Sequence, residues 1–284
     1  MKFHRIGIYG LGLLGASLAL TIKDVYKPKK IIGFARKQKV LNQAIAQRLI
    51  DEGYLSLENQ EAVQSCDLLI LCVPIRSIMS ALKILEKICH KNLVVVDVGS
   101  TKEQIVKTAD QVLRKSPVSF VGCHPMAGSD KSGLIHAQRD LFERALCLVC
   151  PGKTSPKKVT HAVEVFWRRL NCRVEIINAK DHDKIIARVS HFPHLVSAAL
   201  VQSVNESQVK YAGAGFKDMT RIAASNTELW KEILFSNIHA VKKAHEEFDR
   251  KLKSLIALMG KHDEKKFSKI IHKASERRKK IDKM

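Results

Sequence analysis

The stretch Ile6-Gly7-Ile8-Tyr9-Gly10-Leu11-Gly12-Leu13-Leu14-Gly15-Ala16-Ser17 decides the fold. A short apolar run of β-strand character stops at G-x-G-x-x-G, and a helical pattern follows it. Gly10 permits a tight turn, Gly12 lets the backbone approach a phosphate, and Gly15 lets helix and strand pack closely. The helix starting near Leu13 turns free N–H groups and the positive end of its dipole toward an anion. The turn Gly10, Leu11, Gly12, Leu13, Leu14 and Gly15 is therefore read as the pyrophosphate cradle of a dinucleotide.

Outward from this turn the chain alternates. Lys30 to Ala35 reads as a second strand and Lys39 to Arg48 as a helix. Asp67 to Val73 is an apolar run stopped by Pro74, the mark of a strand buried on both faces. Ile75 to His90 carries apolar residues at helical spacing. Strands at Leu93 to Val98, Val118 to Gly122 and Ala145 to Cys150 follow, with a helix from about Lys102 to Arg114. The alternation predicts a Rossmann-type doubly wound parallel sheet over residues 1–152. Ligand-bearing strand ends of such a sheet lie along one edge. Gly10, Val73, Pro74, Gly99-Ser100 and His124 are thus expected to line one crevice.

Past the turn Pro151-Gly152 the character changes. Pro156 to Leu170 is helical, and Arg173 to Ile177 is a candidate last strand. From Asp181 onward the 3.6-residue period dominates. Ile185, Val189, Leu195, Leu200 and Val204 predict a long helix bent at Pro193, and another is predicted from about Trp230 to Met259. Residues 153–284 are expected to form an all-α domain that serves as the shared core of a homodimer.

About twenty residues past the glycine turn, an NAD-binding chain ordinarily places an acid on the ribose hydroxyls. Here that place holds Ala35, followed by Arg36 and Lys37. An acid would repel a 2′-phosphate, whereas the Arg36 guanidinium is suited to hold one in bidentate fashion. NADP is favoured over NAD on this reading. The alternative is a surface arginine beside a helix start.

Composition narrows the classes. No apolar run in the 284 residues reaches the roughly 18 needed to cross a bilayer, and Met1-Lys2-Phe3-His4-Arg5 leads directly into a strand. A cytoplasmic protein with no membrane partner is expected. Seven cysteines, an odd number, argue against a disulfide framework. Cys147-Leu148-Val149-Cys150 has CxxC spacing, but in a strand residues three apart face opposite sides. No His/Asp/Cys set has zinc spacing, so no metal is expected. The net charge of +21 is concentrated in part after Lys261. A nucleic-acid partner is disfavoured because Phe267 is the sole aromatic in that tail. Diffuse positive charge suits a small anionic substrate and an anionic cofactor, whose encounter it accelerates.

Four further islands stand out: Val98-Gly99-Ser100-Thr101-Lys102, His124-Pro125-Met126-Ala127-Gly128-Ser129, Ser190-His191-Phe192-Pro193-His194, and Gly213-Ala214-Gly215-Phe216-Lys217-Asp218-Met219-Thr220-Arg221-Ile222-Ala223. In their order and content they resemble the prephenate/arogenate dehydrogenase family of tyrosine biosynthesis, over nearly the whole chain. The resemblance implies a nucleotide-binding domain, a helical dimerisation domain and a site at their junction. The reaction implied is oxidative decarboxylation of prephenate to 4-hydroxyphenylpyruvate, or of arogenate to tyrosine. Another dehydrogenase with a sheet half and a helical half, acting on a hydroxy acid or an imine, is the alternative enzyme.

The resemblance also implies roles. His124 accepts the proton of the substrate's ring hydroxyl, a role open to an imidazole that is neutral at pH 7. Ser100 hydrogen-bonds the same hydroxyl or the histidine. Arg221 binds a substrate carboxylate, for which a guanidinium fork is better matched than an ammonium, and Lys217 adds charge. Ser190 and His194, four apart on a helix, line the substrate pocket, and Trp230 packs its wall or the dimer core. His182 also matches a family position, without an assigned role.

Overall fold

The computed structural model describes residues 1–128 and 131–281. Ser129, the last residue of the second island, and the final three residues of the basic tail lie outside the described residues. By packing, the chain divides into two units, Met1–Asn237 and Ile238–Met284.

The first unit is built on one eight-stranded sheet. Its strands are β1 (Arg5–Tyr9), β2 (Lys30–Phe34), β3 (Glu52–Tyr54), β4 (Leu68–Leu71), β5 (Leu93–Asp97), β6 (Val118–Pro125), β7 (Leu146–Pro151) and β8 (Arg173–Ile176), in the spatial order β3-β2-β1-β4-β5-β6-β7-β8. The helices between them are α1 (Leu13–Thr21), α2 (Gln38–Ala46), α3 (Gln60–Gln64), α4 (Ile75–Ile88), α5 (Glu103–Val112) and α6 (Lys157–Arg169). Helices α7 (Ala179–Ile186), α8 (Phe192–Gln202), α9 (Glu206–Val209), α10 (Ala214–Thr220) and α11 (Thr227–Ser236) complete the unit.

Side chains alternate faces along each strand, so the continuous apolar runs supply two cores at once. Ile6, Ile8, Leu68, Ile70, Val94 and Val96 pack on one face with α1, α2 and α6. Ile32, Phe34, Leu69, Leu71, Leu93 and Val95 pack on the other with α4 and α5. Cys147 and Cys150 fall into opposite cores, as strand geometry requires, and all seven cysteines are free thiols.

The Rossmann-type sheet followed by helices agrees with the fold expected from sequence, with three differences. Strand β7 runs antiparallel to β6. Among the described residues, the connection between them holds only one short 3-10 turn, Leu134–His136. Without a crossover helix the chain has no way back to the far end of the sheet, so it returns antiparallel. This connection lies across α1, where the Gln138 N–H donates to Ser17 Oγ (2.9 Å) and Thr21 Oγ1 donates to the Arg139 carbonyl (2.9 Å).

The sheet also extends past the expected boundary at residue 152, because the candidate last strand Arg173 to Ile177 forms as β8, which α6 crosses back to lay parallel to β7. Finally, the helix expected from Trp230 to Met259 is divided at Asn237, whose φ of −122° leaves the helical region. The bend expected at Pro193 is a π-turn, Ala187–His191, directly before α8. A wider turn accommodates the proline ring, which has no N–H to continue the ladder.

The second unit is a pair of packed helices, α12 (Ile238–Gly260) and α13 (Glu264–Ile281). Leu252, Ile256, Met259, Ile270 and Ile271 stay exposed on them. No helix among the described residues is long and apolar enough to cross a membrane.

Candidate active site

Strands β1, β4, β5 and β6 are parallel neighbours, so their C-terminal ends at Tyr9, Leu71, Asp97 and Pro125 share one sheet edge. At the first of these ends Gly10 has φ +97°, and a Cβ built on it would lie 2.4 Å from the Cys72 carbonyl oxygen and 2.7 Å from Val73 Cγ1. A Cβ on Gly15 would lie 1.9 Å from the Gly10 carbonyl oxygen. Both glycines are thus demanded by the fold itself. Gly12 is different: a Cβ there would meet no protein atom within 4 Å. Gly12 is also the N-cap of α1, and no side chain caps that helix end.

Uncapped N–H groups beside a residue kept small without any internal reason fit a bound pyrophosphate. Leu11 and Leu13 bury their side chains, which leaves their backbone to a ligand, and Leu14 is half-buried. Val73 abuts the turn, Pro74 is the N-cap of α4, and Arg36 is exposed just past β2, beside a buried Ala35.

At the next strand end, Asp97 is fully buried and paired with the equally buried Lys102 ammonium. The same carboxylate accepts the N–H of Gly99 (2.9 Å) and of Cys123 (3.1 Å). One buried ion pair therefore ties the Gly99-Ser100 turn to the end of β6, where His124 sits. Ser100 is half-buried in that turn.

Helix α7 packs onto this edge through Asp183, whose two oxygens accept the N–H of Lys102 (2.7 Å) and Glu103 (2.9 Å) at the start of α5. Beside it, His182 Nε2 lies 2.9 Å from His124 Nδ1, and His182 Nδ1 lies 2.7 Å from Asp183 Oδ1. The partner of His124 Nδ1 is thus His182 rather than Ser100.

Helix α11 closes over the same edge. Glu232 accepts the N–H of Arg76 at the start of α4 (2.7 Å), and the Thr101 and Ser236 hydroxyls are 3.1 Å apart. Where α11 ends, Asn237 Nδ2 donates to the Asp183 carbonyl (2.8 Å) and lies 3.1 Å from His191 Nδ1. Trp230 stacks on the His194 ring with centroids 3.5 Å apart and planes 10° from parallel, and it meets His191 edge-on. Among the described residues, His191 Nε2, His194 Nδ1 and Ser197 Oγ are buried with no hydrogen-bond partner, an arrangement that favours a polar ligand.

Burial sets the charge of these imidazoles. His124 is held well below the usual imidazole range, first by desolvation and then by His182, Lys102 and His191. His191 is brought down to about 4 by burial, against the pull of Asp183. His182 and His194 are lowered for the same first reason. The cluster is therefore neutral near pH 7.

The residues expected to bind substrate are placed unequally. His194 and Trp230 are brought together, and Ser190 is half-buried in the π-turn just before α8. Arg221 and Lys217 are exposed, Lys217 on α10 and Arg221 on the 3-10 turn Arg221–Ala224; both segments pack against α8, which carries His194. Sequence reading missed Asp97, Asp183, Glu232 and Asn237, and took Lys102 for an ordinary helix start. Asp97 carried one signal, an acid ending an otherwise apolar strand; the others look like surface polar residues of helices.

Residues 18–176 match the family model described as "Prephenate dehydrogenase, nucleotide-binding domain", and residues 178–273 match "Prephenate dehydrogenase, dimerization domain". The chain is 33% identical over 264 residues to the prephenate dehydrogenase of Bacillus subtilis, covering 89% of this chain and 70% of that one. Among solved structures, prephenate dehydrogenase from Aquifex aeolicus in complex with hydroxyphenyl propionate and NAD+ superposes with a TM-score of 0.92 at 30% identity, covering 99% of both chains. Synechocystis arogenate dehydrogenase follows with a TM-score of 0.86 at 28% identity, covering 97% of this chain and 99% of that one. The buried histidine at a strand end, the glycine cradle on the same edge and these matches converge: the chain belongs to the prephenate/arogenate dehydrogenase family of NAD(P)-dependent oxidoreductases.

Proposed function

We propose that the chain carries out the family's oxidative decarboxylation of prephenate or arogenate at this sheet edge, with His124 as the proton acceptor. The observation that carries the reading is the buried, neutral His124 ring at the C-terminal end of β6, anchored through Nδ1. NAD(P)+ held at the glycine turn supplies the hydride acceptor. His124 takes the proton of the ring hydroxyl as the carbon bearing it is oxidised. The resulting dienone loses the opposite carboxylate as carbon dioxide, and the electron pair of that bond runs through the ring to the oxygen as the ring becomes aromatic. The His124 imidazolium stands beside that oxygen and returns the proton.

The placements of the other expected residues support their remaining roles. Arg221 and Lys217 present cations to a substrate carboxylate. Trp230 and His194 form an aromatic wall, with Ser190 one turn away, and Ser100 reaches the reacting hydroxyl from the Gly99 turn. NADP is the cofactor we assign over NAD, because residue 35 offers no carboxylate to the ribose and Arg36 is exposed beside it. The exposed apolar residues Val189, Leu195, Val201, Leu229 and Phe235, with those of α12 and α13, fit a homodimer through the helical part. Seven free thiols fit a reducing compartment, the cytoplasm.

Initial rates with prephenate and arogenate, each with NAD and NADP, test the assignment. His124→Asn is expected to cut kcat by about 10²- to 10⁴-fold, the usual worth of a general base. Near-normal turnover in that variant removes the role.

A further inference from the structure

We propose that Asp183 and His182 are positioning residues that fix which nitrogen of His124 carries its hydrogen, leaving His124 Nε2 as the basic atom. The inference rests on the reading of His124 as proton acceptor and deepens it, naming a second imidazole and a carboxylate that hold the base in its working tautomer.

Each hydrogen in the chain from Asp183 to His124 has one possible place. Asp183 already receives two backbone N–H groups at the start of α5, one on each oxygen. A carboxylate so placed, at the positive end of a helix, is an acceptor only. His182 Nδ1, 2.7 Å from Asp183 Oδ1, must therefore donate. A neutral imidazole has a single N–H, so His182 Nε2 is an acceptor. The atom facing it at 2.9 Å is His124 Nδ1, which must donate in turn. The one hydrogen of neutral His124 is thereby used, and Nε2 keeps its lone pair.

Protonation of His182 would reverse this order. Both its nitrogens would then donate, His124 would have to accept through Nδ1, and its hydrogen would move to Nε2. The surroundings oppose that state. His182 is fully buried, and Lys102, the N-cap of α5, acts on it as a cation, while Asp183 of α7 and Asp97 of β5 pull the other way. Asp97 is itself engaged by Lys102, and His191 of the π-turn adds another neutral ring near His124. Burial outweighs the two carboxylates, so His182 stays neutral at pH 7.

A purely structural account covers Asp183 but not His182. The two backbone bonds of Asp183 cap α5 with or without a neighbouring ring. Burying two imidazoles in hydrogen-bond contact adds nothing to that cap. What the ring contributes is an acceptor for His124 Nδ1 when His124 is neutral, and a stronger partner when His124 becomes an imidazolium, with the Asp183 charge behind it.

The test combines a direct measurement on the full-length wild-type protein with variants. ¹⁵N-edited NMR of the imidazole rings, assigned by the signals lost in His124→Asn, reports the tautomer. Hydrogen on Nδ1 of both His124 and His182 is expected, and hydrogen on Nε2 of His124 overturns the proposal whatever the variants do. In kinetics, His182→Phe is expected to lower kcat about 10- to 100-fold, the worth of a hydrogen bond to a charged group, with KM and cofactor affinity within about threefold. His182→Gln, whose amide both donates to Asp183 and accepts from His124, is expected to recover most of that loss.

If His182→Phe keeps wild-type kcat while His124→Asn is inactive, the relay is wrong and the proton acceptor stands. If His124→Asn is itself active, the underlying reading fails instead. Should His182→Phe not fold, the tautomer and His182→Gln decide: an inactive but folded Gln variant with normal KM, or hydrogen on His124 Nε2, ends the proposal.

Discussion

The glycine turn makes a prediction in which two neighbouring substitutions separate. Replacing Gly15 by Ala puts a methyl 1.9 Å from the Gly10 carbonyl oxygen, a backbone atom in a turn that has no slack. Overpacking of this kind costs roughly 1–3 kcal/mol, and about 2–4 °C of Tm accompanies each kcal/mol in a chain of this size. Replacing Gly12 by Ala puts the methyl where no protein atom lies within 4 Å, on a residue with φ −81° that any amino acid adopts. Loss of the glycine N-cap is its only internal cost, less than about 1 kcal/mol.

For cofactor binding the order reverses. The Gly12 methyl occupies the space through which a pyrophosphate reaches the N–H groups of α1, and each charge-assisted hydrogen bond lost is worth about 1.5–3 kcal/mol, or 10- to 100-fold in Kd. Thermal unfolding and cofactor titration on Gly12→Ala and Gly15→Ala give both quantities. A Gly12→Ala protein of normal Tm that binds NAD and NADP with unchanged Kd would refute the placement of the pyrophosphate on this turn. A large Tm loss in Gly12→Ala would refute the open space at residue 12.

Three other outcomes are expected. Arg221→Ala should raise KM about 10- to 100-fold with little change in kcat, because a carboxylate contact made equally in ground and transition states is uniform binding; an unchanged KM in steady-state assays rules the contact out. Arg36→Ala should raise KM for NADP and leave that for NAD, so equal effects on the two would remove Arg36 from the 2′-phosphate. The folded-state pKa of His191 is depressed, so protonation favours the unfolded chain. The stability it contributes is full above pH 6.5 and is lost as pH falls toward about 4, in total about 3 kcal/mol. Denaturant unfolding of His191→Gln, at fixed protein concentration, should show a correspondingly shallower acid loss than the wild type, and parallel curves would contradict the burial argument.

The sequence by itself determined the parts that depend on near neighbours in the chain. A strand, a glycine turn and a helix within seventeen residues specify the cradle, since Gly15 is held to the Gly10 carbonyl five residues away, although the close approach of Gly10 to Cys72 and Val73 at the end of the neighbouring strand exists only in the folded sheet. Continuous apolar runs such as Leu68–Leu71, buried on both faces, and period-3.6 spacing in Ile75–Ile88 identify sheet and helix, because the alternation of faces along a strand and the pitch of a helix are properties of the local backbone. Strand β3 was not legible, having only Glu52-Gly53-Tyr54 with no apolar run, and it forms because β2 offers it an edge. The antiparallel turn into β7 depended on a missing crossover, which a residue pattern does not display. Tertiary structure alone decided the chemistry around His124. Asp97 meets Lys102, His182 meets His124 across 58 residues, and Asn237 breaks a helix to reach Asp183 and His191. Polar residues in helices look the same in a sequence whether they face water or one another. Their burial, which makes the rings neutral and the hydrogen bonds directional, exists only once distant segments close on the same sheet edge.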